Sequence, residues 1–317
     1  MKINKCRNCG SKKIKKLFSL GKLCFTGKFP SVNQKIKKEP ISLIICKKCE
    51  LVQLAHNFDQ KYLYGPDYGY RTGINKTMLN HVKSIVKYLS KKVKIKKKDY
   101  VLDIASNDGS LLNFYRSNIN TVGIDPILNK YSNEYKNVNY KISDFFSAQK
   151  VQNQTKKKFK IITALSVFYD CENPNKFLKD IKKLLLKDGI CLLEFADLAS
   201  IIKYKMFDTI CHEHLEYYSS KVIFNLCKKN GLRVFDIKKN DINGSSKQYY
   251  ICHSDSKTIS NKKVITNELA KEKKLKLSDE STFKNLFKDI NFLKSQLRKK
   301  IISISKQGKI IHCYGAS

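Results

Sequence analysis

"DYVLDIASNDGS", residues 99–110, is the stretch that decides the fold. After Asp99, its first half is an apolar run broken only by Asp103, with the length and character of a buried strand. Its second half is small and polar, as a tight turn requires, and "LLNFYRS" (111–117) follows it at helical spacing. A strand that passes through such a turn into a helix opens the nucleotide-binding unit of open α/β sheets, whose ligands sit beyond the carboxyl ends of the strands. Outward from it, "TVGID" (121–125), "FKIITAL" (159–165) and "ICLLEFA" (190–196) read as further strands, and "NPNKFLKDIKKLLLKDG" (173–189) as a helix ending at Gly189. "SSKVIFNLCKKNG" (219–231) is a helix closed by Gly231, followed by strands "LRVFDI" (232–237) and "KQYYICH" (247–253). The alternation predicts an α/β domain with a mostly parallel sheet, helices on both faces and an antiparallel hairpin at one edge.

The turn itself leaves the ligand open. Glycine-rich loops let backbone approach a phosphate or nucleoside, yet only Gly109 survives here of the usual three glycines. Asp125 ends the second strand, placed to accept from ribose hydroxyls, and before Pro126 it can also cap a helix. Asp103, Ala105, Ser106, Asn107, Gly109, Asp125 and Pro126 are therefore the candidate cofactor residues, and spacing alone fits NAD and S-adenosylmethionine equally.

The N-terminal segment carries two Cys-x-x-Cys pairs, Cys6 with Cys9 and Cys46 with Cys49, separated by a lysine-rich loop containing Pro30 and Pro40. Four thiolates close a tetrahedron around zinc and leave no open position, so this ion would be structural. The other seven cysteines are scattered through a chain expected to keep its thiols reduced. No apolar run is long enough to span a membrane and the N-terminus lacks a secretory signal, which together predict a cytoplasmic protein.

The net charge of +36 invites a nucleic-acid partner, because basic side chains that neutralise phosphates release counterions. Only five of the 63 basic residues are arginine, the better bidentate reader of phosphates and bases, and the lysines are spread over the whole chain. Solvated surface lysine is the expectation, and a zinc-ribbon nucleic-acid binder is an alternative.

"FDTICHEHLEYYS" (207–219) follows the strand at 190–196 and so lies above the same sheet edge. Its histidines, His212 and His214, are two apart rather than the four of a helical zinc motif, which makes it a poor metal site. It is a good acid/base site: histidine titrates near neutrality, a neighbouring carboxylate can orient it, and Tyr217 or Tyr218 could donate to an oxyanion. Packing under a lid is the third possibility.

Taken together, "CRNCGS", "CKKCELVQLAHNFD", "YGPDYGYRTGIN" (64–75), "DIASNDGSLL", "FYDCENP" (168–174), the His-Glu-His loop, "NDINGSS" (240–246) and the terminal "YGAS" resemble the sugar C-methyltransferases, over the whole chain. The resemblance implies a Rossmann-like seven-stranded class I methyltransferase sheet with a small N-terminal zinc-binding domain and the beginning of a C-terminal α/β domain. It divides the chain into residues 1–62, a zinc-binding domain; 63–255, a methyltransferase domain; and 256–317, the start of a C-terminal substrate-binding domain. Because that last domain usually runs on past "YGAS", the resemblance also implies truncation. It selects S-adenosylmethionine as cofactor beside structural Zn2+, and C3 of a nucleotide-linked 4-keto-deoxy sugar as the methylated carbon. O- or N-methylation of a sugar or other small metabolite is the alternative. A monomer or weak homo-oligomer with neither membrane nor nucleic-acid partner is expected. Position by position, His214 matches the family's general base with Glu213 beside it, and Tyr68 and Tyr70 match an aromatic border of the sugar. Cys211 and Asp170 stand where some relatives have tyrosine and histidine, and Ser245 replaces a glycine of the usual Asn-Gly-Gly-Ser.

Beyond residue 260 a lysine-rich helical stretch leads to "GKIIHCYGAS" (308–317), which reads as a glycine turn and a buried strand.

Overall fold

The structure is a computed structural model, and it describes residues 1–27 and 35–312. Two sheets share the chain. Strands β1 (Ile14–Cys24), β2 (Lys38–Cys46) and β3 (Val52–Leu54) form an antiparallel sheet, so the segment between the cysteine pairs is largely a hairpin rather than a loop. Pro40 lies inside β2, opposite Lys22, and Pro30 lies outside the described residues. A short helix, α1 (Gln60–Leu63), and the linker to α2 (Lys76–Lys92) lead into the second sheet.

That sheet contains β4 (Tyr100–Ile104), β5 (Asn120–Ile124), β6 (Tyr140–Ile142), β7 (Phe159–Leu165), β8 (Leu185–Phe195), β10 (Leu232–Asn240) and β11 (Ser246–His253), in the order β10-β11-β8-β7-β4-β5-β6. The strands from β8 to β6 are parallel to their neighbours, and β11 runs antiparallel to both β8 and β10. This is the Rossmann-like seven-stranded sheet. Its strands are apolar runs because the sheet is buried on both faces, one core packing behind β4, β5, β7 and β8 and another in front. The chain order reverses at β4, with β5 on one side and β7 on the other, which opens a crevice at the carboxyl ends of these strands.

Helices α3 (Ala148–Thr155), α4 (Pro174–Leu184), α5 (Leu198–Tyr204) and α6 (Ser220–Lys229) connect the strands. Asn173 caps α4 by accepting from the Lys176 amide, with Pro174 at the first helical position, and Ser219 caps α6 likewise through Val222. Helix α4 is shorter than expected. Leu185 is already extended and pairs with Phe159, and β8 then bulges through 186–189 before Ile190 meets Ile161. Gly189 sits in that bulge, where a Cβ would meet the Leu186 and Phe159 carbonyl oxygens at 3.0 Å. The helix expected after the 106–110 turn is also missing. One α-type bond, Asn113 N–H to Gly109 O, gives way to a 3-10 turn at Leu112–Phe114. The Asn113 side chain bonds instead to backbone at Glu134, Lys136 and Asn137.

The two sheets are tied by the loop after β8. A two-residue strand, β9 (Glu216–Tyr217), adds to β3 and completes the order β1-β2-β3-β9. Arg7 reinforces the joint, donating to the Leu54 and His56 carbonyls at 2.8 Å and lying 3.7 Å from Glu216. Helices α7 (Lys262–Lys274) and α8 (Glu280–Lys306) confirm the helical tail, and α8 packs on β1 through Phe287 stacked on Phe18 at 5.2 Å. The strand expected after Gly308 does not form among the described residues: Ile310 is 83% exposed and has no partner strand. Residues 313–317, with "YGAS", lie outside them. Among the described residues no helix is long and apolar enough to cross a membrane.

Candidate active site and metal centre

The crevice at the β4 edge opens into a cavity of about 770 Å³. One wall is the turn after β4. Three residues in it are left-handed, Ala105 (φ 57°), Asn107 (φ 52°) and Gly109 (φ 75°), so the turn adopts a glycine-type backbone with two non-glycine residues. Side chains hold it there. Asn107 accepts from the Thr72 amide at 2.9 Å and donates to the Tyr70 carbonyl at 3.1 Å, while its own amide donates to Asp125 Oδ2 at 2.9 Å. Tyr135 donates to the Asn107 carbonyl and shares a hydrogen bond with Ser106, both at 2.8 Å. Gly109 does not line the cavity; a Cβ there would meet the Tyr135 ring at 2.8 Å, so its role is to let that ring support the turn.

Asp103, Ala105, Ser106, Asn107, Asp125 and Pro126 do line the cavity. Asp125 Oδ1 accepts from the Ile127 amide at 2.8 Å, which leaves each carboxyl oxygen a second lone pair for a ligand hydroxyl. Burial pushes the Asp125 carboxyl up to about 6 and that of Asp103 up to about 7, although Thr163 donates to Asp103 at 2.6 Å. A wall with two desolvated carboxyls fits a ligand that brings ribose hydroxyls and a positive charge.

The opposite wall comes from distant segments: Thr26 and Gly27 after β1, Tyr64, Tyr68 and Tyr70 of the linker, Tyr169 and Asp170 after β7, and Thr209, Cys211, Glu213 and His214 after β8. His214 lies with its ring centroid 4.0 Å from that of Tyr169, and its Nδ1 is 2.7 Å from the Thr209 carbonyl. A carbonyl only accepts, so Nδ1 carries the proton and Nε2 is the basic nitrogen. Thr26 donates to Glu213 Oε2 and fixes that carboxylate beside the histidine. The Cys211 thiol is pushed up by burial and by the Glu213 charge, so it stays protonated.

His212 turns the other way. It is fully buried between Phe25 and Phe58, with Nε2 3.0 Å from the Glu39 carbonyl, and it lines no part of the cavity. The two histidines therefore cannot share a metal. Tyr217 and Tyr218 are not brought to the cavity either: Tyr217 pairs with Val52 in β9, and Tyr218 stacks on Phe168 at 4.9 Å. Their neighbours in the chain are drawn into the first sheet, which carries both rings into the core. Of the expected tyrosines, Tyr68 and Tyr70 line the cavity. Tyr64, Tyr169 and Thr26 join it unanticipated. The crowding of aromatics in "YGPDYGY" was a signal for Tyr64 as well, and nothing in the sequence pointed to Thr26.

The four cysteines meet away from the cavity. Their Sγ atoms lie within 4.8 Å of one another, with Cys6 to Cys49 at 3.6 Å and Cys9 to Cys46 at 3.5 Å. A zinc tetrathiolate has sulfurs about 3.8 Å apart, the edge of a tetrahedron with 2.3 Å bonds, so the set fits. Each pair sits on a tight turn, Gly10 N–H to Cys6 O and Glu50 N–H to Cys46 O, and Gln53 donates to Cys6 Sγ. This is the only such ligand cluster among the described residues.

Three stretches of the chain match known protein families. Residues 6–64 match a zinc binding domain, and residues 241–317 match a C-methyltransferase C-terminal domain. The C-methyltransferase NovU of Streptomyces niveus is 23% identical over 320 residues, covering 99% of this chain and 76% of that protein. Among solved structures, an S-adenosylmethionine-dependent methyltransferase from Clostridium acetobutylicum aligns with a TM-score of 0.45 at 13% identity, over 55% of this chain and 92% of that one. Magnesium protoporphyrin IX methyltransferase from Synechocystis aligns with a TM-score of 0.44 at 15% identity, over 61% and 92%. Residues 74–237, more than half of the chain, match a methyltransferase domain, and the chain belongs to that methyltransferase family.

Proposed function

We propose that this methyltransferase is S-adenosylmethionine-dependent and alkylates carbon, at C3 of a nucleotide-linked 4-keto-deoxy sugar. The observation that carries the proposal is His214, whose protonated Nδ1 is committed to Thr209 and whose basic Nε2 is left for the cavity. The similarity to a C-methyltransferase and the match to a C-methyltransferase C-terminal domain support carbon as the acceptor.

Asp125 would take the ribose hydroxyls, and the turn at Ala105–Asn107 with Asp103 would face the remainder of the cofactor. When bound, S-adenosylmethionine supplies an electrophilic methyl on a cationic sulfur. His214 Nε2 takes the proton at C3. The C–H electron pair moves toward the neighbouring ketone, which makes C3 nucleophilic and places negative charge on the ketone oxygen. As C3 bonds to the methyl carbon, the methyl–sulfur bond would break with its electron pair staying on sulfur, leaving S-adenosylhomocysteine; the ketone is then restored, and His214 returns its proton to solvent. Tyr64, Tyr68 and Tyr70 border the acceptor side, and the four-cysteine zinc centre holds the hairpin whose Thr26 positions Glu213.

General-base help is worth about 100- to 10,000-fold. His214→Asn should lower turnover by that order while S-adenosylhomocysteine affinity stays within about threefold. Near-normal turnover would sink the assignment. Exchange of the C3 proton with D2O, followed without methyl donor, separates carbon methylation from O- or N-methylation, which needs no such exchange.

A further inference from the structure

Asp170 is the most conspicuous polar group in the cavity that the mechanism above leaves unused. It closes the 3-10 turn Phe168–Asp170 after β7, and its main chain is fixed by its own amide donating to Val167 and by Gln60 Nε2 donating to its carbonyl at 3.0 Å. Its side chain lines the cavity at 8% exposure, and Oδ1 has no hydrogen-bond partner. The Tyr64 hydroxyl, on the same wall, is buried facing the Asp170 carboxyl, short of a well-formed hydrogen bond to it. Buried polar atoms are almost always satisfied, so two unsatisfied ones on one cavity wall point to a ligand oxygen that completes them.

We propose that Asp170 and Tyr64 together bind the acceptor's ketone oxygen and stabilise the charge that collects there once His214 has taken the C3 proton. This rests on the C3 deprotonation proposed above. The electrical surroundings select the acid form of Asp170. Burial pushes its carboxyl well above the usual range, the Glu213 charge pushes the same way, and a protonated His214 and the Tyr64 hydroxyl oppose them. A carboxylate facing a developing enolate would repel it, whereas a carboxylic acid donates to it, as buried neutral acids do in other oxyanion holes. The proton stays on Asp170 throughout: His214 Nε2 holds the C3 proton, and the Asp170 O–H and Tyr64 O–H each contribute one hydrogen bond to the oxygen.

The test is the rate of C3 proton exchange with D2O in the full chain with S-adenosylhomocysteine bound, using a thymidine diphosphate-linked 4-keto-2,6-dideoxy sugar as probe. Removing one oxyanion donor costs roughly 100- to 1,000-fold. Asp170→Leu should slow exchange by that order, whereas Asp170→Asn, which keeps a neutral donor, should slow it tenfold or less. Should Asp170→Leu fail to fold, Tyr64→Phe carries the test with an expected loss of about tenfold or more. S-adenosylhomocysteine affinity should hold within about threefold in each. Exchange that is absent from the wild type overturns the C3 assignment itself. Wild-type exchange with Asp170→Leu or Tyr64→Phe unchanged overturns this proposal alone. Equal losses in Asp170→Asn and Asp170→Leu also overturn it, because the group would then be acting as a carboxylate.

Discussion

The two walls of the cavity are built by opposite means. The proposed cofactor wall comes from neighbouring strands, β4 and β5, and from one turn held by backbone-directed bonds to Asn107 and Asp125. The proposed acceptor wall comes from four segments between Thr26 and His214, joined by side-chain contacts such as Thr26 to Glu213 and Gln60 to Asp170. Apart from the Tyr70–Thr72 linker that clasps Asn107, the first wall is local to its sheet and should be the less sensitive to damage in the N-terminal sheet. The second depends on the N-terminal sheet staying folded, because β9 and the hairpin loop both belong to it.

Zinc removal is the strongest way to break that contrast. A structural zinc site contributes on the order of 10 kcal/mol to folding, so chelation should unfold the four-stranded sheet and release β9 with it. Turnover should fall at least about a thousandfold, while S-adenosylhomocysteine affinity, measured by calorimetry, should fall less than about tenfold. Equal losses would show that the two walls are one cooperative unit.

The contrast also explains what could be read in advance. The strands of the second sheet, the turn at 105–109, Asp125 and the four cysteines are legible because each signal is short-range: an apolar run, a turn composition, a Cys-x-x-Cys spacing. The expected helix after the turn fails because Asn113 finds backbone partners near residue 134, a contact that no local pattern encodes. Tyr217 and Tyr218 look like active-site donors in "HEHLEYYS", yet pairing of β9 with β3, more than 160 residues away, turns them into the core. Thr26 is invisible for the same reason.

The cofactor wall should show its own pH signature. The Asp103 carboxyl is raised from about 4 unfolded to about 7 folded, so between these values the native state keeps a proton that the unfolded state has lost. Stability therefore falls as pH rises through this window, by on the order of 4 kcal/mol at most, and the fall is complete above pH 7. Asp125 adds a smaller effect of the same sign that ends near pH 6. Urea midpoints of Asp103→Asn should vary less between pH 4 and pH 7 than those of the wild type. Equal slopes for the two proteins over this range would contradict the burial of Asp103.

Gly109→Ala probes the same wall sterically. Its φ of 75° and the Tyr135 ring 2.8 Å from a Cβ together should cost about 1–3 kcal/mol of local strain. Because the turn carries Asn107, whose amide holds Asp125, the expected result is S-adenosylhomocysteine affinity weakened roughly 5- to 150-fold, with acceptor KM little changed. A change confined to acceptor KM would reverse the assignment of the walls.

Thr26→Val is the smallest perturbation and the most selective. It keeps the side-chain volume and removes only the hydroxyl that donates to Glu213. A hydrogen bond to a charged group contributes about 1.5–3 kcal/mol, and water reaching the cavity replaces part of it, so kcat/KM for the acceptor should fall about tenfold. Cofactor affinity should not move, since no residue of the 105–109 turn or Asp125 hydrogen-bonds to Thr26 or Glu213. If Thr26→Val instead weakens S-adenosylhomocysteine binding, the hairpin loop must reach across the cavity to the cofactor. The N-terminal sheet would then serve both halves of the reaction rather than the acceptor half alone.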